Sequence, residues 1–278
     1  MMKKRALLIF TIIAVVALVF TACAKSSPKV SDEVASSSVP TAAPENLLQK
    51  IKSEGTIKFG TEGTYAPFTF HDKDGKLTGF DIEIANEVAK RLGVKAEFIE
   101  TAWDGIFAGL DAKRFDAIIN EVTIRADRLE KYDFSDPYIV SKAVLIVKQD
   151  NDSIKTFADL KDKKSAQTLT SNFGKLAESY GATLEQVEGF NQAIDLLTSN
   201  RVDATINDSL SYLDFKKQQP DIQIKVVAEE QTKDEQGIMF NKGNKELVDA
   251  VNKALADMKS DGTYLRISET WFGVDVSK

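Results

Sequence analysis

The chain contains very few of the residues on which thiol and metal chemistry depend. Its 278 residues include one Cys and one His. A single Cys cannot form an internal disulfide or a zinc site built from several thiolates, and a single His leaves little room for a His-based metal site. We therefore predict no metal and no cofactor.

Positive charge is also in short supply. The chain has 36 Lys+Arg against 42 Asp+Glu, a formal net charge of −6 at pH 7. Proteins that bind nucleic acids need clustered Lys and Arg to neutralise phosphates, so this balance argues against nucleic acid as the main partner. With 43% hydrophobic and 28% charged residues, the chain can still bury a core, which excludes disorder throughout.

Sequence motifs of several common enzymes are missing. The chain has no Gly-x-Ser-x-Gly, no His-Glu-x-x-His, no Gly-x-Gly-x-x-Gly and no Gly-Lys-Ser/Thr phosphate loop. The one His, His71, lies in a polar stretch and is expected at the surface. No catalytic residue is predicted.

The N-terminus has the pattern of an export signal. A basic start, residues 1–5, precedes an apolar run at residues 6–20 that only Thr11 interrupts. This run is too short for the ~20 residues of a membrane-spanning helix and suits a signal peptide. It ends in Phe20-Thr21-Ala22-Cys23, which resembles the cleavage site of bacterial lipoproteins. We predict a signal peptide at 1–22, with Cys23 carrying lipid such as palmitate; the alternative is a simple signal peptide with an incidental Cys.

Residues 23–45 are rich in Ser, Pro, Ala, Lys and Val and have no apolar periodicity. They are predicted to be a flexible linker. Together with the lipid at Cys23, this linker would hold a folded body at the extracytoplasmic face of the cell membrane.

From about Asn46 the pattern alternates short β-rich runs with amphipathic helices. An apolar residue recurs every four positions from Phe80 to Leu92, with Asp81 as an expected helix N-cap and Gly93 as the stop. Residues 143–147 are a continuous apolar run, as in a strand buried on both faces. Two such alternating sets predict two α/β lobes, each with a parallel sheet covered by helices, and a ligand cleft near the strand ends.

Polar segments follow several of these strands, and each has two interpretations. Residues 60–68 are either a surface turn or a cleft edge that presents Tyr65 and Phe68. Residues 120–128 either form a carboxylate site, in which Arg128 and short polar groups hold both oxygens, or lead into a solvated charge run at residues 125–131 with pairs such as Asp127 and Lys131.

The second set of strands offers two similar segments. Asp208 either caps the helix that follows it or serves as the counter-charge of a ligand ammonium group. Residues 168–172, Thr-Leu-Thr-Ser-Asn, supply either helix caps or donors to a carboxylate. The residues alone leave both choices open.

Four ordered motifs resemble the family 3 solute-binding proteins, which serve ABC importers of polar amino acids. They are YAPF at 65–68, GFDIEIANEVA at 79–89, YDFSDPY at 132–138, and DGT at 261–263 followed by WFG at 271–273. Within the family, WD at 103–104, AGLDAKRFD at 108–116 and LTSN at 169–172 look most like the L-cystine-binding lipoproteins.

The resemblance implies a fold and a set of ligand contacts. The fold is α/β, the two-lobed type II periplasmic-binding-protein fold with two crossing hinge strands; residues 46–142 and 236–278 would form lobe 1, and 143–235 lobe 2. Arg128 matches the Arg that grips the α-carboxylate, and Asp208 matches the acid that neutralises the α-ammonium. The remaining positions matched to the binding site are Thr123 and Ser171 as carboxylate donors, Tyr65, Phe68 and Trp103 as aromatic walls, and Glu62, Asn120, Glu121 and Asn172 as positions that vary with the ligand.

The resemblance also implies a function. The expected protein is a monomeric, lipid-anchored receptor that delivers a polar amino acid, L-cystine first, to an ABC transporter permease, and it is not an enzyme. Glu121 leaves a second possibility, because an acid there suits arginine or lysine as well as the second ammonium of cystine. The sequence also leaves open a cyclohexadienyl-dehydratase-like enzyme on the same scaffold, and a sensor or adhesin.

Overall fold

The computed structural model describes residues 46–278. The predicted signal peptide, the linker and the lipid site at Cys23 lie outside the described residues. Within 46–278 no helix is both long and apolar enough to cross a membrane.

The described part of the chain contains nine α-helices and one short 3-10 helix, Phe157–Leu160. The α-helices are α1 Leu47–Glu54, α2 Phe80–Leu92, α3 Trp103–Asp111, α4 Ala126–Leu129, α5 Asn172–Ser179, α6 Phe190–Thr198, α7 Ser209–Gln218, α8 Lys245–Ser260 and α9 Thr263–Phe272.

The same residues contain fifteen strands. They are β1 Thr56–Thr61, β2 Thr64–Tyr65, β3 Thr69–His71, β4 Leu77–Thr78, β5 Lys95–Glu100, β6 Ala117–Ile118, β7 Tyr132–Phe134, β8 Ile139–Ser141, β9 Ala143–Lys148, β10 Lys164–Gln167, β11 Thr183–Gln186, β12 Thr205–Asp208, β13 Ile224–Glu229, β14 Asp234–Gln236 and β15 Met239–Asn241.

The largest sheet has five strands in the order β5-β1-β6-β15-β7. β1 runs parallel to β5 and β6, whereas β15 runs antiparallel to both β6 and β7. One core cluster joins Phe59 of β1 to apolar side chains of α2, α8 and α9. The chain therefore completes this sheet and its helical cover only with its C-terminal segment.

Helix α2 shows how the apolar pattern produces this packing. Phe80, Ile84 and Val88 are fully buried, and each such side chain contributes roughly 1.5–3 kcal/mol by leaving water. The helix ends at Gly93, which adopts the left-handed conformation with φ 79°. Asp81 is not the N-cap, contrary to the prediction; Gly79 occupies that position.

Asp81 makes tertiary contacts instead of a cap. Its side chain is buried in the first turn of α2. The carboxylate accepts hydrogen bonds from the Glu121 main-chain N–H at 2.7 Å and from Tyr138 Oη at 3.0 Å. Because both donors are distant in sequence, the local pattern could not reveal this role.

The second group of strands forms the sheet β12-β9-β13 and the parallel pair β10-β11. β9 is buried along five of its six residues, as its apolar run predicts. Both of its neighbours are antiparallel, however, so the prediction of a wholly parallel sheet is wrong. The chain enters this lobe along β9 and leaves it along β13, and strands that lead into and out of the same end must run in opposite directions.

A two-stranded antiparallel ribbon connects the two groups. β8 pairs with β14, so that Ser141 lies opposite Asp234 and Ile139 opposite Gln236. Each strand of the ribbon leads from one lobe to the other along the chain. The predicted two-lobed α/β fold with two hinge strands is confirmed.

Candidate functional site

A cavity lies between the two lobes. Residues from both lobes line it: Glu62, Thr64, Tyr65, Trp103, Asn120, Glu121, Thr168, Ser171, Asn172, Phe173, Gly189, Phe190 and Asn207.

Direct hydrogen bonds hold the lobes together around the cavity. Tyr65 Oη donates to Asn207 Oδ1 at 2.8 Å, and Ser211 Oγ donates to the carbonyl of Ala66 at 2.9 Å. On another side of the cleft, Asp104 Oδ1 accepts from Thr170 N at 3.1 Å and from Thr170 Oγ1 at 2.8 Å. The two lobes are therefore closed over the cavity.

Aromatic side chains form part of the cavity wall, as the sequence predicts for Tyr65 and Trp103. The Trp103 indole is buried, and its Nε1 has no hydrogen-bond partner among residues 46–278. Phe68 does not line the cavity. It is fully buried in the core, with its ring centroid 5.2 Å from that of Tyr65, and so supports Tyr65 from behind.

Glu62 and Asn120 form a fixed pair on the first lobe. Asn120 Nδ2 donates to Glu62 Oε2 at 2.6 Å, while Asn120 Oδ1 accepts from the Glu62 main-chain N–H at 2.8 Å. Burial raises the pKa of Glu62 to about 7, although the hydrogen bond from Asn120 opposes this shift. With a pKa of about 7, the Glu62 carboxyl exchanges between its protonated and ionised forms near neutral pH.

Glu121 has the most unusual environment in the cavity. Its main chain adopts φ 51°, a region that residues other than glycine seldom occupy, and Asp81 anchors its N–H there. The side chain is 4% exposed, and Oε1 has no hydrogen-bond partner within the described residues. Burial, together with the nearby charge of Asp208, raises its pKa well above the ordinary value.

Asp208 lies behind the cavity wall rather than in it. It caps α7, accepting hydrogen bonds from Leu210 N at 2.7 Å and Ser211 N at 3.4 Å. It also accepts a hydrogen bond from Ser141 Oγ of the hinge strand β8. Burial raises the pKa of Asp208 to about 6 despite these donors. The capping role is thus present, and the ammonium-binding role remains a prediction.

Arg128 is buried beside Trp103 and is not among the cavity-lining residues. Its Nη1 donates to the Thr123 carbonyl at 2.9 Å, and its guanidinium carbon lies 5.5 Å from the centroid of the Trp103 ring. Burial lowers its pKa to about 10. Thr123 is buried too and does not line the cavity; its main chain forms a bridge with Gln236.

Part of residues 120–128 also forms the predicted surface charge run. Arg125 contacts Asp127 at 2.6 Å, and Lys175 of the second lobe contacts the same carboxylate at 2.5 Å. The prediction that Asp127 pairs with Lys131 is wrong, because closure brings Lys175 to Asp127 instead. These ion pairs lower the pKa of Asp127.

Ser171 and Asn172 line the second lobe's side of the cavity. Ser171 is the N-cap of α5 and accepts from Gly174 N at 3.0 Å, so its hydroxyl oxygen is already engaged. Asn172 Nδ2 donates to Asp234 Oδ2 at 3.3 Å. The N-terminus of α5 therefore faces the cavity, where a negative group is favoured.

Six cavity-lining residues are not among the predicted site residues: Thr64, Thr168, Phe173, Gly189, Phe190 and Asn207. Thr168 and Asn207 stand at strand ends that the sequence pattern locates, and Thr168 also belongs to the segment 168–172 that the sequence offers as caps or carboxylate donors. Gly189 and Phe190 begin α6 after β11, and the same rule of strand ends and helix starts would have found them.

The cavity contains a hydrogen-bond donor and a hydrogen-bond acceptor that both lack a partner among the described residues. Trp103 Nε1 is a buried donor with the Arg128 cation behind it, and Glu121 Oε1 is a buried acceptor with the Asp208 carboxyl behind it. Buried polar groups are normally paired, so such atoms mark places where a ligand is expected to bind. A small molecule with a negative and a positive group fits this arrangement.

The chain belongs to the bacterial extracellular solute-binding proteins, family 3, whose family model matches residues 57–274. The L-cystine-binding protein TcyA of Bacillus subtilis is 48% identical over 278 residues, which is 100% of both chains. The L-cystine-binding protein TcyJ of Escherichia coli K12 is 44% identical and covers 88% of this chain and 93% of its own.

Solved structures give the same fold. An ancestral arginine-binding protein bound to arginine has a TM-score of 0.74 at 43% identity, covering 78% of this chain and 98% of its own. The unliganded, open L-cystine receptor of Neisseria gonorrhoeae has a TM-score of 0.58 at 46% identity, covering 84% and 100%. The higher identity with the lower TM-score fits a difference in lobe closure, since this chain is closed.

Proposed function

We propose that this protein is a receptor that binds L-cystine outside the cytoplasm and delivers it to an ABC transporter permease. The observation that carries the proposal is the pairing of an unsatisfied buried donor, Trp103 Nε1, with an unsatisfied buried acceptor, Glu121 Oε1, in one closed cavity. Two relatives at 44–48% identity and one solved relative are described as L-cystine-binding proteins, which supports cystine as the ligand.

The charges of a free amino acid explain why both ends of the cavity are needed. A zwitterion loses its hydration shell on binding, so each charge requires a partner in the protein. In the proposed complex, Arg128 and the donors of Thr123, Ser171 and Trp103 receive one α-carboxylate. Asp208 and Glu121 receive an α-ammonium, and Tyr65 covers the side chain.

The contacts between the lobes couple binding to closure. Arg128 and Glu121 belong to the first lobe, whereas Ser171 and Asp208 come from the second, so one ligand engages all of them only when the cleft is shut. We infer that residues 46–142 and 236–278 move as one lobe and 143–235 as the other. The ligand thereby creates the closed surface that a permease can recognise.

A basic amino acid is the second candidate ligand. The acidic groups Glu62, Glu121 and Asp208 surround the cavity, and Arg128 is the cation beside it. This excess of acid suits the additional positive charge of arginine or lysine. The ancestral arginine-binding structures at 42–43% identity support this second candidate.

The remaining parts of the proposal concern location, assembly and catalysis. The protein would be a non-catalytic monomer, attached to the outer face of the cell membrane by lipid at Cys23. Membrane fractionation of wild type and Cys23→Ser tests the anchor, because loss of the thiol should release the protein. Incubation with prephenate or arogenate tests for dehydratase activity, and no aromatic product is expected.

Calorimetric titration tests the receptor role directly. The purified protein is unfolded and refolded to strip bound ligand, then titrated with L-cystine, arginine, lysine, histidine, glutamine and cysteine. One-to-one cystine binding with the others weaker would support the full proposal. Preference for arginine or lysine would move the assignment to the second candidate, and no binding across the panel would overturn the receptor role.

A further inference from the structure

Two acidic side chains meet at the boundary of the cavity. The side chains of Glu121 and Asp208 are both buried, with 4% and 1% of their surface exposed, and the charge of Asp208 helps to raise the pKa of Glu121. Glu121 comes from the first lobe and Asp208 from the start of α7 in the second. Two neighbouring carboxylates that are both buried away from water repel each other when both are ionised, which favours the form that retains a proton.

The surrounding hydrogen bonds indicate which carboxyl holds this proton. Asp208 accepts from three donors, namely Ser141 Oγ, Leu210 N and Ser211 N, which all favour its ionised form. Glu121 receives no donor from the described residues, and its Oε1 is unpartnered. The proton therefore belongs on Glu121.

The other charged and titratable groups around Glu121 reinforce this assignment. Burial is the largest cause of its raised pKa, followed by the negative charges around it; Arg128 is the cation that opposes them. The groups facing Glu121 from the packed elements are Asp81 on α2, Asp208 at α7, Asp234 on β14, Tyr65 on β2, Tyr138 before β8 and Arg128 on α4.

Resting on the proposed function, we propose that Glu121 and Asp208 share one proton before the ligand binds and exchange it for the ligand's α-ammonium group. The proton leaves the Glu121 carboxyl for water or buffer. The ammonium nitrogen keeps its three protons and donates hydrogen bonds to both carboxylates. Because one proton leaves as one positively charged group arrives, the ammonium replaces the charge that the proton carried. Glu121 is then a specificity-determining residue for ligands with a free amine.

The exchange has two measurable consequences. Binding should become tighter as pH rises toward the pKa of free Glu121, by up to about tenfold per pH unit, because one proton is released. N-acetyl derivatives, which lack the ammonium, should neither bind tightly nor release the proton. Glu62 offers a matched control, since it is another cavity-lining carboxyl with a raised pKa but is paired with Asn120 instead.

Calorimetry in buffers of different ionisation enthalpy tests the exchange. At about pH 6, wild-type protein titrated with L-cystine, or with arginine if arginine binds better, should release about one proton per ligand. Glu121→Gln, which keeps the size of the side chain but cannot release a proton, should bind with release close to zero. Glu62→Gln should keep the release whatever its affinity.

Each possible result supports or overturns the proton exchange. Equal release by wild type and Glu121→Gln, or no release by wild type, would overturn the exchange while leaving the receptor role intact. Should Glu121→Gln fold but not bind, the pH dependence of wild-type affinity decides instead, and a flat profile would overturn the exchange. Absence of binding by any amino acid of the panel would overturn the receptor role, and the exchange with it.

Discussion

The hydroxyl of Tyr65 donates a 2.8 Å hydrogen bond to Asn207 Oδ1, and this bond joins one lobe to the other at the wall of the cavity. The same ring packs against the cores of both lobes. Tyr65 therefore contributes to ligand binding in two ways, by covering the cavity and by stabilising its closed form.

Tyr65→Phe separates these two contributions. The ring remains, and only the bond to Asn207 is lost, so ligand affinity should fall by about two- to tenfold, the equivalent of about 0.5–1.5 kcal/mol. Titration calorimetry measures the change. Tyr180→Phe is the matched control, because the Tyr180 hydroxyl contacts Glu230 within the second lobe, 3.4 Å away. Equal affinity of Tyr65→Phe and wild type would show that the bond does not hold the cleft shut.

Asp104 joins the two lobes at a point outside the cavity, through a contact with Thr170 that we call the latch. It accepts hydrogen bonds from the main chain and hydroxyl of Thr170 across the cleft. Asp104→Ala should therefore weaken binding of every ligand by the same factor, about three- to thirtyfold, because it shifts the population toward the open form. Small-angle scattering of the ligand-free protein should show a larger radius of gyration.

The control for this latch is Asp111→Ala, since Asp111 contacts Tyr132 inside the first lobe. A double-mutant cycle with Thr170→Val measures the coupling across the cleft. If Asp104→Ala alters the ligand preference rather than affinity alone, the residue acts on the ligand directly and the latch interpretation fails.

Arg128→Ala should weaken amino-acid binding at least roughly thirtyfold, since a buried carboxylate left without its cation costs about 2–5 kcal/mol. Arg125→Ala is the matched control: Arg125 is three residues away and pairs with Asp127 outside the cavity. Calorimetry should show a much smaller loss for Arg125→Ala. Similar losses for the two variants would argue for a general electrostatic effect instead of a specific grip.

Asp81 should make the protein less stable as pH rises. Burial raises its folded-state pKa from 3.8 to about 7, so between these values the folded state binds the extra proton. The unfolding free energy should then fall with increasing pH by up to about 1.4 kcal/mol per unit in this window. Denaturant titrations of wild type and Asp81→Asn measure the difference; the variant should show a shallower pH dependence, and an identical slope would contradict the assignment.

Much of the local structure was predictable because burial leaves a periodic signal. The stripe from Phe80 to Leu92 predicts α2, and the helix spans these residues in the structure. Strand direction leaves no such signal, since the apolar run at residues 143–147 would look the same with parallel or antiparallel neighbours. For that reason the prediction for the sheet around β9 is wrong.

The candidate site likewise contains some residues that local sequence patterns locate and others that they do not. Strand ends and the family motifs place Glu62, Tyr65, Trp103, Asn120 and Glu121 near a cleft, and these residues do line the cavity. The burial of Phe68 behind Tyr65 and the contact of Asp81 with Glu121 depend on residues far away in the chain. No local pattern records such contacts, so the sequence could not assign these two side chains.

The position of β15 has a consequence for how the chain folds. This strand, Met239–Asn241, lies between β6 and β7 in the five-stranded sheet, more than a hundred residues after either of them. β7 has no other partner in that sheet, so its edge stays unpaired until the C-terminal segment arrives. Pairing over such a sequence distance is slow and leaves strand edges exposed to aggregation. The second lobe, built from one continuous segment, can assemble first and keep the two halves of the interrupted sheet close together.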